Sequence, residues 1–146
     1  MRPPVIYIQE RKKSEPVWLK AVAPDDLANA NSFLRLAFPD PVVNAILKAF
    51  KTASVAQMSA KDILRASGSP FLDEKVPGVA RQLDLIDAGE PLSPILFVRG
   101  SAQAMLDGVL ADGLHRTLAV YALDPEAKLP VKLASVDWAA LQNAVE

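Results

Sequence analysis

Apolar residues recur at helical spacing in the first third of the chain. One helix face is predicted after Pro24 by the spacing of Leu27, Ala30, Leu34 and Phe38. Pro39 ends this helix, and Asp40-Pro41 places an acidic cap and a proline at the start of a second one. The apolar face of the second helix is formed by Val42, Ala45, Ile46, Ala49 and Phe50. The pattern therefore predicts a helical hairpin over residues 24–51.

Two shorter amphipathic helices are predicted in the middle of the chain. Ser59 is typical of a helix N-cap, with the acidic residue Asp62 three positions on, and Gly68 is a natural stop. The next helix is indicated by apolar residues at helical spacing, and it closes at Ala88-Gly89. Its apolar positions are Val76, Val79, Leu83 and Ile86.

The pattern changes from helix to strand after Pro91. Ile95–Val98 is a continuous apolar run, which is typical of a strand buried on both faces. The predicted order from there is strand, loop, strand, helix, strand and helix, over residues 95–98, 99–108, 109–111, 114–123, 129–133 and 135–145. The second and third of these strands form a βαβ unit with the helix between them if they are parallel. A β-prone run, Val5–Ile8, predicts one more strand near the N-terminus.

Together these elements predict a mixed α/β (α+β) fold, in which a core of short strands and helices follows the helical hairpin. The one plausible boundary lies near Thr52–Ser59. We therefore expect residues 1–57 to hold the N-terminal strand and the hairpin, packed on a core of residues 58–146. A length of 146 residues is that of one ordinary domain, so we expect the two parts to form a single compact unit.

Composition narrows the chemistry that is open to the chain. It has no cysteine and one histidine, which excludes disulfides, thiolate nucleophiles, cysteine–zinc sites and multi-histidine metal sites within one chain. The net charge of −1 argues against coating DNA or an acidic membrane by bulk electrostatics. No apolar stretch approaches the roughly 20 residues that span a bilayer, and no secretory signal is evident. We expect a cytoplasmic protein without a membrane partner.

The order strand, Asp112-Gly113, helix is the candidate site. Glycine lets a ligand approach the bare backbone, and the start of the next helix offers unpaired N–H groups and a dipole that favours an anion. His115 and Arg116 lie in the first turn, where the dipole prefers acids. A bound phosphate would resolve this conflict, because Arg116 can grip it bidentately and His115 can donate or shuttle a proton. Asp112 could hold His115, orient a hydroxyl or ligate a magnesium ion that arrives with a nucleotide.

Each of these features also has a purely structural interpretation. Asp-Gly is a common turn pair, a lone histidine is more often structural than catalytic, and Arg116 could simply pair with Asp112 or Glu90. Ser93 is a further candidate ligand contact, or it sets the entry of the strand that follows.

Three segments resemble the core of the ParB/sulfiredoxin superfamily. They are Leu92-Ser-Pro-Ile-Leu-Phe-Val-Arg99, Val109-Leu-Ala-Asp-Gly-Leu-His-Arg-Thr-Leu-Ala-Val-Tyr121 and Leu129-Pro-Val-Lys-Leu133. Ala60-Lys-Asp-Ile-Leu-Arg-Ala-Ser-Gly68 is similar to a segment of small ParB-like bacterial proteins, which commonly carry an Asp-Gly-x-His-Arg turn. The resemblance spans roughly residues 58–135. It implies a ParB/sulfiredoxin-like core with His115-Arg116 as a phosphate-binding pair. It also implies that Arg65 lies near the glycine turn, as a second phosphate contact or on a solvated helix face.

Leu114 departs from the two best-understood branches of that superfamily. In sulfiredoxins a cysteine at this place carries the chemistry, so sulfinic-acid reduction is excluded here. In ParB proper an acidic residue serves CTP hydrolysis, and Leu114 replaces that residue as well. The turn most resembles the free-serine kinase branch, which implies Asp112 and His115 as reaction partners in nucleotide-dependent phosphoryl transfer. That activity also needs an acidic residue elsewhere, for which the sequence offers no match.

Two functions are therefore open. The first is a domain that binds a nucleotide with Mg²⁺, or another phosphate-bearing ligand, at residues 112–116, with nucleotide hydrolysis or phosphotransfer as its reaction. The second is a non-enzymatic interaction or regulatory protein that keeps the fold without the chemistry, which Leu114 favours. DNA is a possible partner of the second kind of protein, although the charge does not indicate it. The helical hairpin suits homodimerisation or a lid equally well.

Overall fold

The chain folds as a mixed α/β protein, as the sequence pattern predicts, and its described residues form two sheets. The structure is a computed structural model that describes residues 15–145, and the strand predicted at Val5–Ile8 lies outside these residues. The described helices are α1 (Pro24–Ala37), α2 (Asp40–Thr52), α3 (Ala60–Ser67), α4 (Pro77–Asp87), α5 (Leu114–Leu123) and α6 (Trp138–Val145). The described strands are β1 (Val17–Trp18), β2 (Val55–Ser59), β3 (Pro91–Leu92), β4 (Ile95–Val98), β5 (Val109–Asp112) and β6 (Lys128–Ala134).

Four strands form the central sheet, in the order β2–β6–β4–β5. Strand β6 runs antiparallel to β2 and parallel to β4, while β5 runs antiparallel to β4. Strands β1 and β3 pair separately as a small parallel sheet. Because β5 is antiparallel to β6 and β4 lies between them, the βαβ unit that depended on their being parallel does not form. The parallel neighbours are β4 and β6 instead.

The side chains of β4 alternate between two hydrophobic cores. Leu96 and Val98 pack with α1 and α2 on one face of the sheet, whereas Ile95 and Phe97 pack with α3 and α5 on the other. A third cluster joins α3, α4 and α5. Helices therefore cover both faces of the sheet, which explains why the run 95–98 is apolar at every position.

Several helix ends confirm the local signals in the sequence. The hydroxyl of Ser59 accepts a hydrogen bond from the Asp62 amide at 3.2 Å and caps α3, and Gly68 ends that helix with a left-handed φ of 63°. The last helix was predicted from residue 135, but α6 begins at Trp138. The reason is that the Asp137 carboxylate accepts from the Ala140 amide and caps the helix at that point.

Strand β2 was not predicted. It forms one edge of the central sheet, so the expected boundary between residues 57 and 58 falls inside a strand that pairs with β6 along its whole length. Its sequence, Val-Ala-Gln-Met-Ser, lacks the clean alternation of apolar and polar residues that signals a half-buried strand.

Candidate functional site

Helix α5 starts without a side-chain cap. Gly113 is its N-cap residue, and the first backbone hydrogen bond of the helix runs from the Thr117 amide to the Gly113 carbonyl at 2.9 Å. The N–H groups of the three residues before Thr117 therefore have no acceptor within the helix. The strand, glycine turn and helix lie where the sequence predicts them, with Asp112 as the last residue of β5.

The backbone at Gly113 requires glycine for two reasons. Its φ is +104°, in the left-handed region that other residues rarely adopt. A Cβ atom there would also lie 2.5 Å from Cδ1 of Ile95 and 2.9 Å from Nη2 of Arg116. The side chains of Ile95 and Arg116 therefore pack directly against the Gly113 backbone.

Arg116 is held between two carboxylates. Its Nη2 atom donates to Oδ2 of Asp112 at 3.1 Å and to Oδ2 of Asp26 in α1 at 3.2 Å. Its side chain is only 13% exposed, like that of Asp26. The structural alternative of an Arg116–Asp112 pair is therefore present, with Asp26 rather than Glu90 as the second carboxylate. The two carboxylates offset the positive charge that the helix dipole disfavours at this end.

A β-bulge aims Asp112 at this ion pair. The β4–β5 register shifts between Leu96 and Phe97, so that Phe97 faces Leu110 while Leu96 faces Asp112. Ala111 is thus the additional residue of the bulge. Leu96 belongs to the face that is covered by α1, so the bulge turns Asp112 toward the helix that carries Asp26.

Burial raises the pKa of the Asp112 carboxyl to about 6, and the negative charge of Asp26 raises it as well. The neighbouring Arg116 guanidinium acts in the opposite direction without reversing the shift. At neutral pH the three groups carry a net charge close to −1. Protonation of Asp112 would bring that charge to zero, so the electrostatics of the turn change near pH 6.

His115 lies against helix α4. A Cβ atom added to Gly78 would come within 2.5 Å of the His115 Nδ1 atom, so the imidazole ring packs directly on this glycine. The histidine is otherwise exposed. In the described residues the Asp112 carboxylate is bonded to Arg116, and no hydrogen bond joins it to His115. The role of Asp112 as a holder of His115 therefore has no contact to support it here.

A cleft of about 590 Å³ opens at the turn. Strand β5 and the start of α5 form its floor, from Gly108 to Arg116, and three other helices or their ends supply the walls. The wall residues are Asn29, Phe33, Ala37, Ser67, Ser69 and Gln82. Asp112, Gly113, His115 and Arg116 are thus brought together in one cavity.

Ser93 and Arg65, the two other predicted ligand contacts, lie outside the cleft lining. Ser93 is buried, and its hydroxyl accepts from the Ala23 amide at 3.0 Å, which fixes the start of α1. The side chain of Arg65 is 71% exposed, faces Asp62 at 3.6 Å and is not part of the cleft lining. The exposed position of Arg65 agrees with the alternative of a solvated helix face. The observed contact of Ser93 is with the start of α1, not with the strand that it was expected to introduce.

Sequence reasoning missed the polar residues of the cleft wall. Ser67 and Ser69 flank the glycine stop of α3, and their hydroxyl oxygens lie 2.6 Å apart. Gln82 follows Gly78 by one helical turn on α4, so both lie on the face that meets His115. No motif marks these residues. The one feature that these residues share is that they lie on α4 or at the end of α3, which border the turn.

No protein-family model, curated protein or solved structure matches the chain. The ParB/sulfiredoxin resemblance therefore stays a prediction. Within residues 15–145, no three or more acidic, histidine or cysteine side chains are grouped so that they could hold a metal ion. In the same part of the chain, no helix is both long enough and apolar enough to cross a membrane.

Proposed function

We propose that the protein binds a phosphate-bearing ligand, with nucleotides as the first candidates, in the cleft at residues 112–116. The observation that carries this proposal is the uncapped N-terminus of the ten-residue helix α5, which borders the cleft together with His115. Unpaired N–H groups and the helix dipole both favour an anion there. The volume of the cleft falls within the range of about 300 to 1,000 Å³ that is usual for small-molecule sites.

Because of the ion pair, Arg116 has a role other than the direct binding of phosphate that the sequence predicts. Its Nη2 atom already serves Asp26 and Asp112, so the helix N–H groups and His115 make the first contacts with the anion. Arg116 acts on the anion indirectly, because its positive charge offsets the two carboxylates that would otherwise repel a phosphate. Protonation of Asp112 removes one of these negative charges and therefore favours the anion further.

We also propose that the protein is related to the ParB/sulfiredoxin superfamily and that it is cytoplasmic. The order β4, β5, glycine turn, α5 and β6 agrees with the plan that the resemblance implies. In hydrolysis or phosphotransfer, His115 would carry the proton. The carboxylates nearest to a nucleotide-borne Mg²⁺ at the turn are Asp26 and Asp112, and both are engaged by Arg116. The fit to that ion is therefore poor.

Calorimetry against ATP, ADP and CTP in magnesium buffer tests the proposal. We expect at least one of them to bind, and His115→Ala to weaken that binding about tenfold. Arg116→Ala should weaken it as well, whereas Arg65→Ala, which changes an exposed arginine outside the cleft, should leave it unchanged. Absence of binding to all three nucleotides and to inorganic phosphate contradicts the proposal.

A non-enzymatic interaction protein is the second candidate. Phe33 and Leu36 lie one turn apart on α1 and are 46% and 90% exposed, and Phe33 also borders the cleft. Exposed apolar side chains of this size are typical of contact surfaces when they are contiguous. Light scattering of the protein and of Leu36→Lys tests a homodimer, and a gel shift at two salt concentrations tests DNA. A monomer that shifts no DNA at low salt removes both versions.

A further inference from the structure

The cleft presents two different kinds of polar groups. At the turn, the start of α5 offers N–H donors beside the imidazole of His115. Elsewhere in the cleft lining, the described structure leaves acceptors unused. The Oε1 atom of Gln82 is buried and has no hydrogen-bond partner among the described residues. A buried acceptor without a partner costs free energy, and because Gln82 lines the cleft, a turn of its amide toward the cleft lets a ligand donor pair with it.

The Ser67–Ser69 pair also lines the cleft and offers a further acceptor. The Ser67 hydroxyl lies 3.3 Å from the Leu64 carbonyl oxygen and 2.6 Å from the Ser69 hydroxyl, and either serine can be the donor in the shorter contact. A hydroxyl oxygen has two lone pairs, so the Ser69 oxygen keeps at least one for a further donor. Ser69 therefore offers a ligand a hydrogen-bond acceptor, as Gln82 does.

The chemistry of these acceptors favours hydroxyl groups over an ammonium group. The side chains of Ser67, Ser69 and Gln82 are neutral. Among the described residues that line the cleft, the one carboxylate is that of Asp112, which is paired with Arg116. A buried ammonium needs a charged partner. A hydroxyl needs only a hydrogen-bond partner, and a serine hydroxyl or an amide pairs with it as donor or acceptor.

We infer that the cleft takes a small hydroxyl-bearing phosphate ester, such as a polyol or sugar phosphate. Its phosphate lies at the start of α5, and its hydroxyl groups donate to Gln82 and Ser69. The exposed ring of Phe33 adds an apolar surface to the cleft lining. This inference rests on the proposed phosphate site and adds Gln82 and the Ser67–Ser69 pair as the residues that determine specificity.

Calorimetry with four probes tests the inference: inorganic phosphate, glycerol 3-phosphate, glucose 6-phosphate and glucose. We expect one of the esters to bind at least tenfold more tightly than inorganic phosphate, because each added hydrogen bond contributes up to about tenfold in affinity. Gln82→Leu should remove most of this advantage and leave the affinity for inorganic phosphate unchanged. Ser69→Ala, which removes one hydroxyl, should reduce the advantage in the same direction. Gln57→Leu on the exposed edge strand β2 is the matched control and should have no effect.

The outcomes separate the two proposals. If phosphate or a nucleotide binds at the turn but neither ester binds more tightly than phosphate, the inference is overturned and the phosphate site stands. The same holds if both Gln82→Leu and Ser69→Ala bind the esters as the unchanged protein does. If no phosphate compound binds, both the proposed function and the inference are overturned. Tighter binding of an ester that depends on Gln82 or Ser69 supports the inference.

Discussion

Arg116 and Asp26 are joined across 90 positions of the sequence, with Nη2 of the arginine donating to Oδ2 of the aspartate at 3.2 Å. This contact ties the start of α1 to the start of α5. Since α1 also supplies Phe33 to the cleft wall, one ion pair fixes both the floor and a wall of the candidate site.

Removing the arginine should destabilise the protein more than removing either carboxylate. Arg116→Met leaves Asp26 and Asp112 close together and mostly buried, so we expect a loss of about 3 kcal/mol in the free energy of unfolding at pH 7. Asp26→Asn keeps an acceptor for the guanidinium and removes a like charge near Asp112, so its cost should be below about 1 kcal/mol. Urea unfolding measures both values.

Arg35→Met is the matched control for that experiment. Arg35 pairs with Asp40 at the surface, where their side chains are 42% and 75% exposed. Exposed ion pairs contribute about 0 to 1 kcal/mol. Equal losses for Arg116→Met and Arg35→Met would show that burial does not strengthen the role of the inner pair.

Asp112 should make the stability of the protein depend on pH between about 4 and 6. Burial and Asp26 raise its pKa in the folded state to about 6 from an ordinary value of 3.8. The folded state therefore binds the proton more tightly, so stability is highest below the ordinary pKa and is lost as the pH rises through about 6. The shift corresponds to at most about 3 kcal/mol.

Asp112→Asn provides the comparison, because it keeps the shape of the side chain and cannot titrate. Denaturant unfolding at pH 4, 5, 6 and 7 should show the variant gaining stability relative to the unchanged protein as the pH rises. A constant difference between the two proteins across this range would contradict the raised pKa.

Gly113 and Gly89 allow backbone strain to be separated from close packing. Both have a positive φ, but a Cβ atom at Gly89 meets nothing within 4 Å, whereas one at Gly113 clashes with Ile95 and Arg116. Gly89→Ala should cost about 1 kcal/mol, which is the backbone term alone. Gly113→Ala should cost about 3 kcal/mol. Thermal or urea unfolding checks the order, and equal costs would contradict the packing described at the turn.

Much of this site follows from local sequence signals. The glycine turn, the bounds of α5 and the position of Asp112 at the end of β5 all depend on interactions within a few residues. The sequence could not locate Asp26, because its contact with Arg116 depends on how α1 packs across the sheet. The bulge at Ala111 was equally hidden, since register depends on the partner strand rather than on the strand's own pattern.

The strand order of the central sheet is harder to predict from the sequence than the site. Ile95–Val98 was recognised as a buried strand because the apolar run is visible in the sequence. The insertion of β4 between β5 and β6 was not predicted, because consecutive strands are neighbours in most proteins. The sequence does not predict the Ser67–Ser69 pair and Gln82 as site residues, because serine and glutamine on or beside helices form no recognisable motif.

Gly78 should control the position of His115 without controlling the fold. Its φ is ordinary and alanine is the better helix former by up to about 1 kcal/mol, so Gly78→Ala should keep or raise stability. The new methyl group must displace the imidazole ring. We expect a changed imidazole signal in NMR spectra and an approximately tenfold loss of affinity for a phosphate ligand. The effect on binding should disappear when His115→Ala is already present, and an equal loss in both backgrounds would show that Gly78 acts by another route.

The central claim is that an anion binds at the start of α5, and amide NMR tests it most directly. The ¹⁵N-labelled protein is titrated with inorganic phosphate, ADP and glucose 6-phosphate at pH 6 and pH 7.5. The account predicts saturable shifts that are largest for the amides of Gly113, Leu114 and His115, weaker in His115→Ala and unchanged in Arg65→Ala. Saturable shifts confined to another part of the protein, or none with any of the three compounds, would contradict it.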